Sequence, residues 1–162
     1  MNIQIVITKT DVFNDVGLMS GYAGAKKDIE GSLYDHISTS ESDSSLLDRF
    51  WNETKNTACT ALKRVLTSAT EEEGTLTFTL SVSSSFEQTF KDSVALHLHN
   101  FFVKNITAKW YMYTNKEEAP AVATEGNGML EEALKQLFYK KRPTRPHYST
   151  TPPKPDTGTD WE

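Results

Sequence analysis

At 162 residues, with a net charge of −5 and one cysteine, Cys59, the chain has room for one domain plus an appendage and for one real core, which excludes two full domains and any disulfide framework or cysteine-based metal site within one chain. The lone cysteine points to synthesis in a reducing compartment. The opening MNIQIVITKT has no basic region followed by an apolar run, and no uncharged apolar stretch approaches about 18 residues, so neither a signal peptide nor a membrane span is expected.

Charge is unevenly placed along the chain. Residues 1–134 sum to −8, residues 135–154 to +6 with no acidic side chain, and residues 155–162 to −3. An acidic body therefore carries a basic strap with an acidic tip. Such a strap suits an acidic protein surface, including another copy of this body, or the phosphates of nucleic acid.

In chain order, Ile3, Ile5 and Ile7 alternate with Gln4 and Thr8, the two-residue period of a strand over residues 2–8. Gly17, Gly21 and Gly24 then punctuate a weakly patterned stretch, which reads as loop with an irregular helical turn. Their spacing lacks the Gly-Lys-Ser/Thr of a phosphate loop and the dinucleotide fingerprint, so no nucleotide is expected there. Ile29, Leu33, Tyr34 and Ile37 suit a short helix over residues 26–37 despite Gly31. The polar run Ser38–Ser45 offers several N-caps, with Glu41 and Asp43 suited to the positive end of a following helix.

That helix is read from Leu46 to Leu66, through Leu47, Phe50, Trp51, Ala58, Ala61, Leu62, Val65 and Leu66 at helical spacing. Glu71-Glu72-Glu73-Gly74 closes the helical region. Leu76, Phe78, Leu80 and Val82 then alternate with Thr77, Thr79 and Ser81 as a half-buried strand, whose partner is either residues 2–8 or a strand of another subunit. A second long helix, about Phe86 to Tyr113, presents Phe90, Val94, Leu98, Phe101, Phe102, Ile106, Trp110 and Tyr113 as a broad apolar side and is expected to be the central core helix. Residues 117–128, with Pro120, Gly126 and Asn127, read as a loop. Met129 to Lys141 reads as an amphipathic helix through Leu130, Ala133, Leu134, Leu137 and Phe138, stopped by Pro143.

The expected fold is thus mainly α, a helical bundle with two long helices, one or two short β-strands and an extended C-terminal arm. The body spans residues 1–141 and the arm residues 142–162. The arm holds five of the six prolines (143, 146, 152, 153 and 155) and no Leu, Ile, Val, Phe or Met, too little apolar surface to offset the entropy of ordering it alone. At about 3.1 Å per residue it can extend about 65 Å, against a diameter of about 37 Å for a compact body of this size. An ordered state of it calls for a partner, and it has the reach to cross a neighbouring subunit.

Chemistry-bearing residues are sparse. His97 and His99 would face one side of a strand, but in a helix they lie about 200° apart and do not share a metal ion, so surface or interface histidines are expected. The Asp35-His36 dipeptide has no nucleophile beside it, and Cys59 falls on a helix face, where a free cysteine is usually a small hydrophobe. Glu41/Asp43 and Glu71–Glu73 lack calcium-loop spacing and read as helix capping and solubility. Trp51, Trp110, Tyr111 and Tyr113 read as core or interface, without the basic interleaved pattern of a base-stacking surface. No constellation of nucleophile, base and stabiliser can be assembled, so no enzymatic role, catalytic residue, metal or cofactor is expected.

The order of a polar acidic segment leading into a helix (Ser42-Asp43-Ser44-Ser45-Leu46-Leu47-Asp48-Arg49-Phe50-Trp51), an aromatic helix (Asp92 to Tyr113) and a last helix ending Lys140-Lys141-Arg142-Pro143-Thr144-Arg145-Pro146 resembles the head-to-tail connector proteins, or neck adaptors, of tailed bacteriophages, particularly those of gut Bacteroidetes. The resemblance covers roughly residues 28–146. It implies a helical subunit in a homo-oligomeric ring, a dodecamer, in the virion neck, made in the host cytoplasm. The ring would sit beneath the portal protein and contact tail or neck proteins, its channel passing genome DNA without sequence-specific binding. On the residues themselves, the expected interface takes Arg142 and Arg145 as charged clamps and Tyr148 and Trp161 as apolar anchors, together with Lys140 and Lys141. Strands at 2–8 and 76–82 are not required by a purely helical connector. They leave open a tail-completion or terminator protein, and the basic 135–154 segment leaves open a nucleic-acid-binding accessory protein.

Overall fold

A computed structural model describes residues 1–27 and 39–139. The chain is mainly α with a small sheet. Its elements run β1 (Asn2–Thr8), α1 (Lys9–Lys27), a 3-10 turn (Glu41–Asp43), α2 (Ser44–Leu62), β2 (Leu66–Glu72), β3 (Thr75–Ser81), α3 (Phe90–Thr114) and α4 (Ala119–Leu137). The expected helix at 26–37 falls almost wholly on residues 28–38, outside the described residues. The expected arm at 142–162, and the boundary before it, lie outside them too.

The expected strands form, and they pair within one chain. The sheet has the order β1-β3-β2, all antiparallel, with Ile5 opposite Phe78 and Phe78 opposite Ala69. Ile3, Ile5, Ile7, Leu76, Phe78 and Leu80 are buried on one face, as two-residue alternation requires. The opposite face presents Gln4, Val6, Thr77, Thr79 and Thr70. β2 was not foreseen: the expected helix to Leu66 stops at Leu62, and Val65 and Leu66 lead into the strand instead. Two residues with left-handed backbone, Glu73 (φ 48°) and Gly74 (φ 76°), make the tight β2–β3 hairpin, a turn whose twist matches that of the strands it joins. The acidic run 71–73 that seemed to close a helix therefore closes a hairpin.

Two further expectations are corrected. The glycine-punctuated stretch after β1 is helix α1, not loop, because Val12, Val16 and Ser20 fall at four-residue intervals and are fully buried, and that packing outweighs the cost of glycine in a helix. Residues 119–128 are likewise helix: Pro120 lies in the first turn of α4, where a missing N–H costs nothing. Gly126 faces α3, and a Cβ there would stand 3.1 Å from the Cβ of Lys104. Ala119, Val122, Gly126, Leu130, Ala133 and Leu137 make one continuous stripe against α3, so the small residues read as turn chemistry serve a close helix crossing.

α3 is the central helix, as expected, beginning at Phe90 with Phe86 buried just before it. It meets α4 on one side and β1, α1 and α2 on others. Trp51 of α2 sits at the middle, fully buried, with ring centroids 4.9 Å from Phe102 and 6.2 Å from Phe13. Its indole N–H donates to Glu71 of β2 (3.0 Å), and buried Thr54 donates to Asn105 of α3 (2.8 Å). Tyr113 departs from the expected apolar side and is 71% exposed.

Candidate interaction surfaces

The polar segment before α2 forms a reciprocal turn. Ser40 N–H and its hydroxyl both donate to Asp43 Oδ2 (2.8 Å each), while Asp43 N–H donates back to Ser40 O (3.0 Å). The Asp43 carboxylate thus closes the 3-10 turn that precedes α2. The expected side-chain capping of α2 is not made by Asp43, the residue at its N-cap, whose carboxylate serves the turn before the helix instead.

His97 Nδ1 lies 2.7 Å from Ser93 O on its own helix, and His99 Nε2 lies 2.7 Å from Asp15 Oδ2 of α1, so the two rings serve different neighbours. Among the described residues no three His, Cys, Asp or Glu side chains gather where they would hold a metal ion. Burial pushes the half-buried Cys59 thiol up, away from the thiolate a nucleophile needs. Burial, with the Glu118 carboxylate adding to it, pushes Tyr111 up to about 12, and its hydroxyl donates to Met19 O (3.3 Å), tying α3 to α1. Glu71 is more than a solubilising charge: hydrogen bonds from Lys55 Nζ (2.6 Å) and Trp51 hold its carboxyl below the usual range.

Several surfaces are open for contact among the described residues. On the outer face of the sheet an open groove of about 920 Å³ is lined by Gln4, Thr70, Glu72, Glu73, Thr75 and Thr77. At the carboxyl end of α4, Tyr139 meets Phe90 edge to face (5.4 Å) and the Arg64 guanidinium lies 5.9 Å from the Phe138 ring centre. At the other end of α3, Tyr113 stacks on buried Phe50 (6.2 Å, 19° between planes) beside Met112, with Arg49, Glu53 and Lys109 around them.

The structure thus brings together the root of the expected arm, while the residues expected to make its contacts, Lys140, Lys141, Arg142, Arg145, Tyr148 and Trp161, lie outside the described residues. Sequence reading missed the Phe50–Tyr113 cleft. No helix among the described residues is long and apolar enough to cross a membrane. Comparison with protein-family models, with curated proteins and with solved structures finds no match to this chain.

Proposed function

We propose that this protein works by assembly, as a head-to-tail connector subunit in the neck of a tailed bacteriophage particle, forming a homo-oligomeric ring between portal and tail. The observation that carries the reading is the division of charge. A body of −8 over residues 1–134 is followed by the +6 of residues 135–154, and the chain leaves α4 at one end of the α3–α4 pair, where Tyr139 meets Phe90. An acidic body and a basic, proline-rich extension are complementary between copies of one chain. The phage assignment rests on the resemblance over residues 28–146.

Expression with portal or sibling neck proteins should give rings by electron microscopy and native mass spectrometry. A protein that stays monomeric and never enters particles overturns the reading. Deleting residues 142–162 should leave the helical fold intact and abolish assembly.

The sheet favours a second reading, a tail-completion or terminator protein of the same particle. β1 and β2 are both open edges, and β1 carries no charged side chain, so strands of neighbouring subunits have somewhere to add. Incorporation at the tail side of the particle rather than against the portal would select it. DNA binding that falls steeply with salt would instead point to an accessory protein using the basic segment 135–154, since neutralised phosphates release counterions.

A further inference from the structure

The cleft at the Tyr113 end of α3 has a volume of about 280 Å³ and is lined by Arg49, Phe50, Glu53, Lys109, Met112 and Tyr113. That is just below the roughly 300–1,000 Å³ of small-molecule sites and suits a single large side chain. Its wall is apolar and available: Phe50 is buried beneath Tyr113, while 71% of Tyr113 and 55% of Met112 stay exposed. Its rim is polar, with Glu53 accepting from Lys109 Nζ (2.9 Å) and Arg49 Nε (3.1 Å). Hydrogen bonds from Lys109 and then Arg49 hold the Glu53 carboxyl below its usual range. One carboxylate facing two cations leaves a positive charge beside the exposed ring.

We propose that this cleft receives the C-terminal tip, Asp156–Glu162, of a neighbouring copy, with Trp161 against Phe50, Met112 and Tyr113, and Asp160 and Glu162 against Arg49 and Lys109. The tip matches the cleft in both respects: residues 155–162 carry −3, and Trp161 is their one aromatic side chain. A large ring in an apolar notch with charges at the rim is the usual form of an interface anchor. The basic strap before the tip has the wrong sign for this rim and suits the acidic surface elsewhere.

The chain leaves the body at Tyr139 beside Phe90, and Tyr113 lies about 35 Å away along α3 at 1.5 Å per residue. The 22 residues from Tyr139 to Trp161 span up to about 68 Å when extended. Donor and acceptor therefore occupy opposite ends of one helix pair; a ring uses such a contact heterologously, repeating it from copy to copy until it closes. The inference rests on the assembly reading and names its acceptor surface.

Two full-length variants separate donor from acceptor. Trp161→Ala removes the anchor; Tyr113→Ala with Arg49→Glu removes the socket, and both socket side chains are mostly exposed, so melting temperatures should stay near the parent's. Each variant alone should self-associate at least about tenfold more weakly than the parent by sedimentation. Mixed, they hold one intact donor and one intact acceptor and should form a one-to-one dimer that grows no further. A mixture that stays monomeric overturns the docking. As a second measurement, p-benzoylphenylalanine replacing Trp161 in a mixture of ¹⁴N and ¹⁵N protein should cross-link to Met112 between copies. Cross-links within one copy, or to any other surface, overturn it. Rings that form equally well from both variants sink the docking and leave the connector reading standing, whereas a parent that joins no assembly sinks the connector reading itself.

Discussion

β1 and β2 are seven-residue strands, both antiparallel to β3 and both at an open edge of the sheet, yet β1 buries Ile3, Ile5 and Ile7 while β2 is exposed from Thr67 to Glu72. β1 is held by apolar surface packed against α1 and α3. β2 is held by its hairpin turn and by one carboxylate, Glu71, reaching Trp51 and Lys55. The difference teaches that two strands of one sheet can be specified by different physics, core burial in one case and local turn geometry with a polar tether in the other.

Substitutions test that contrast directly. Ile5→Ala should cost about 2–4 kcal/mol in urea unfolding, the cost of a cavity in a packed core, while Thr70→Ala on β2 should stay within about 0.5 kcal/mol. Equal costs would erase the distinction. Glu71→Ala should cost about 1–3 kcal/mol, because it strands the buried Trp51 N–H without an acceptor; Glu71→Gln keeps an oxygen in place and should cost less. If Glu71→Ala is neutral, the tether does not hold β2. Gly74→Ala should lose about 1 kcal/mol, and Glu73→Asn should gain about 0.5 kcal/mol, since both positions have positive φ and asparagine tolerates it better than glutamate. The smallest effect is a pH dependence. The depressed Glu71 carboxyl contributes stability that is complete above its unfolded value of about 4.3 and is lost as pH falls through the lower folded value. Stability should therefore drop less steeply below about pH 4 in Glu71→Gln than in the parent, measured by thermal melts across that range.

The same contrast explains what sequence made legible. β1 and β3 show a two-residue period and α2 and α3 a helical one, because each buries one face or stripe, and burial writes itself into residue order. β2 has no buried face to write; its residues met a helix pattern already running through Val65 and Leu66, and the pattern was followed too far. The glycines of α1 and the Pro120–Gly128 stretch misled for another reason. Pro120 and Gly126 signal turns by local chemistry, yet their tertiary roles are a first helical turn and a close approach to Lys104. At the surface, the uneven charge was legible from composition alone. The cleft was not, since Tyr113 fits an apolar helical stripe in sequence and only the packing shows it exposed.

The register of β1 on β3 also fixes a schedule. Thr8 pairs with Thr75 and Asn2 with Ser81, so the first strand made is completed by one that follows 67 to 79 positions later. At the usual 5–20 residues per second of synthesis, Ile3, Ile5 and Ile7 wait about 3–15 s for the strand that covers their edge. The β2–β3 hairpin, by contrast, closes within microseconds once its turn exists. During that interval the nascent chain presents an uncharged β-prone segment, the kind of sequence that ribosome-associated chaperones shield, and its yield in a cell should depend on them more than the stability of the finished fold would suggest.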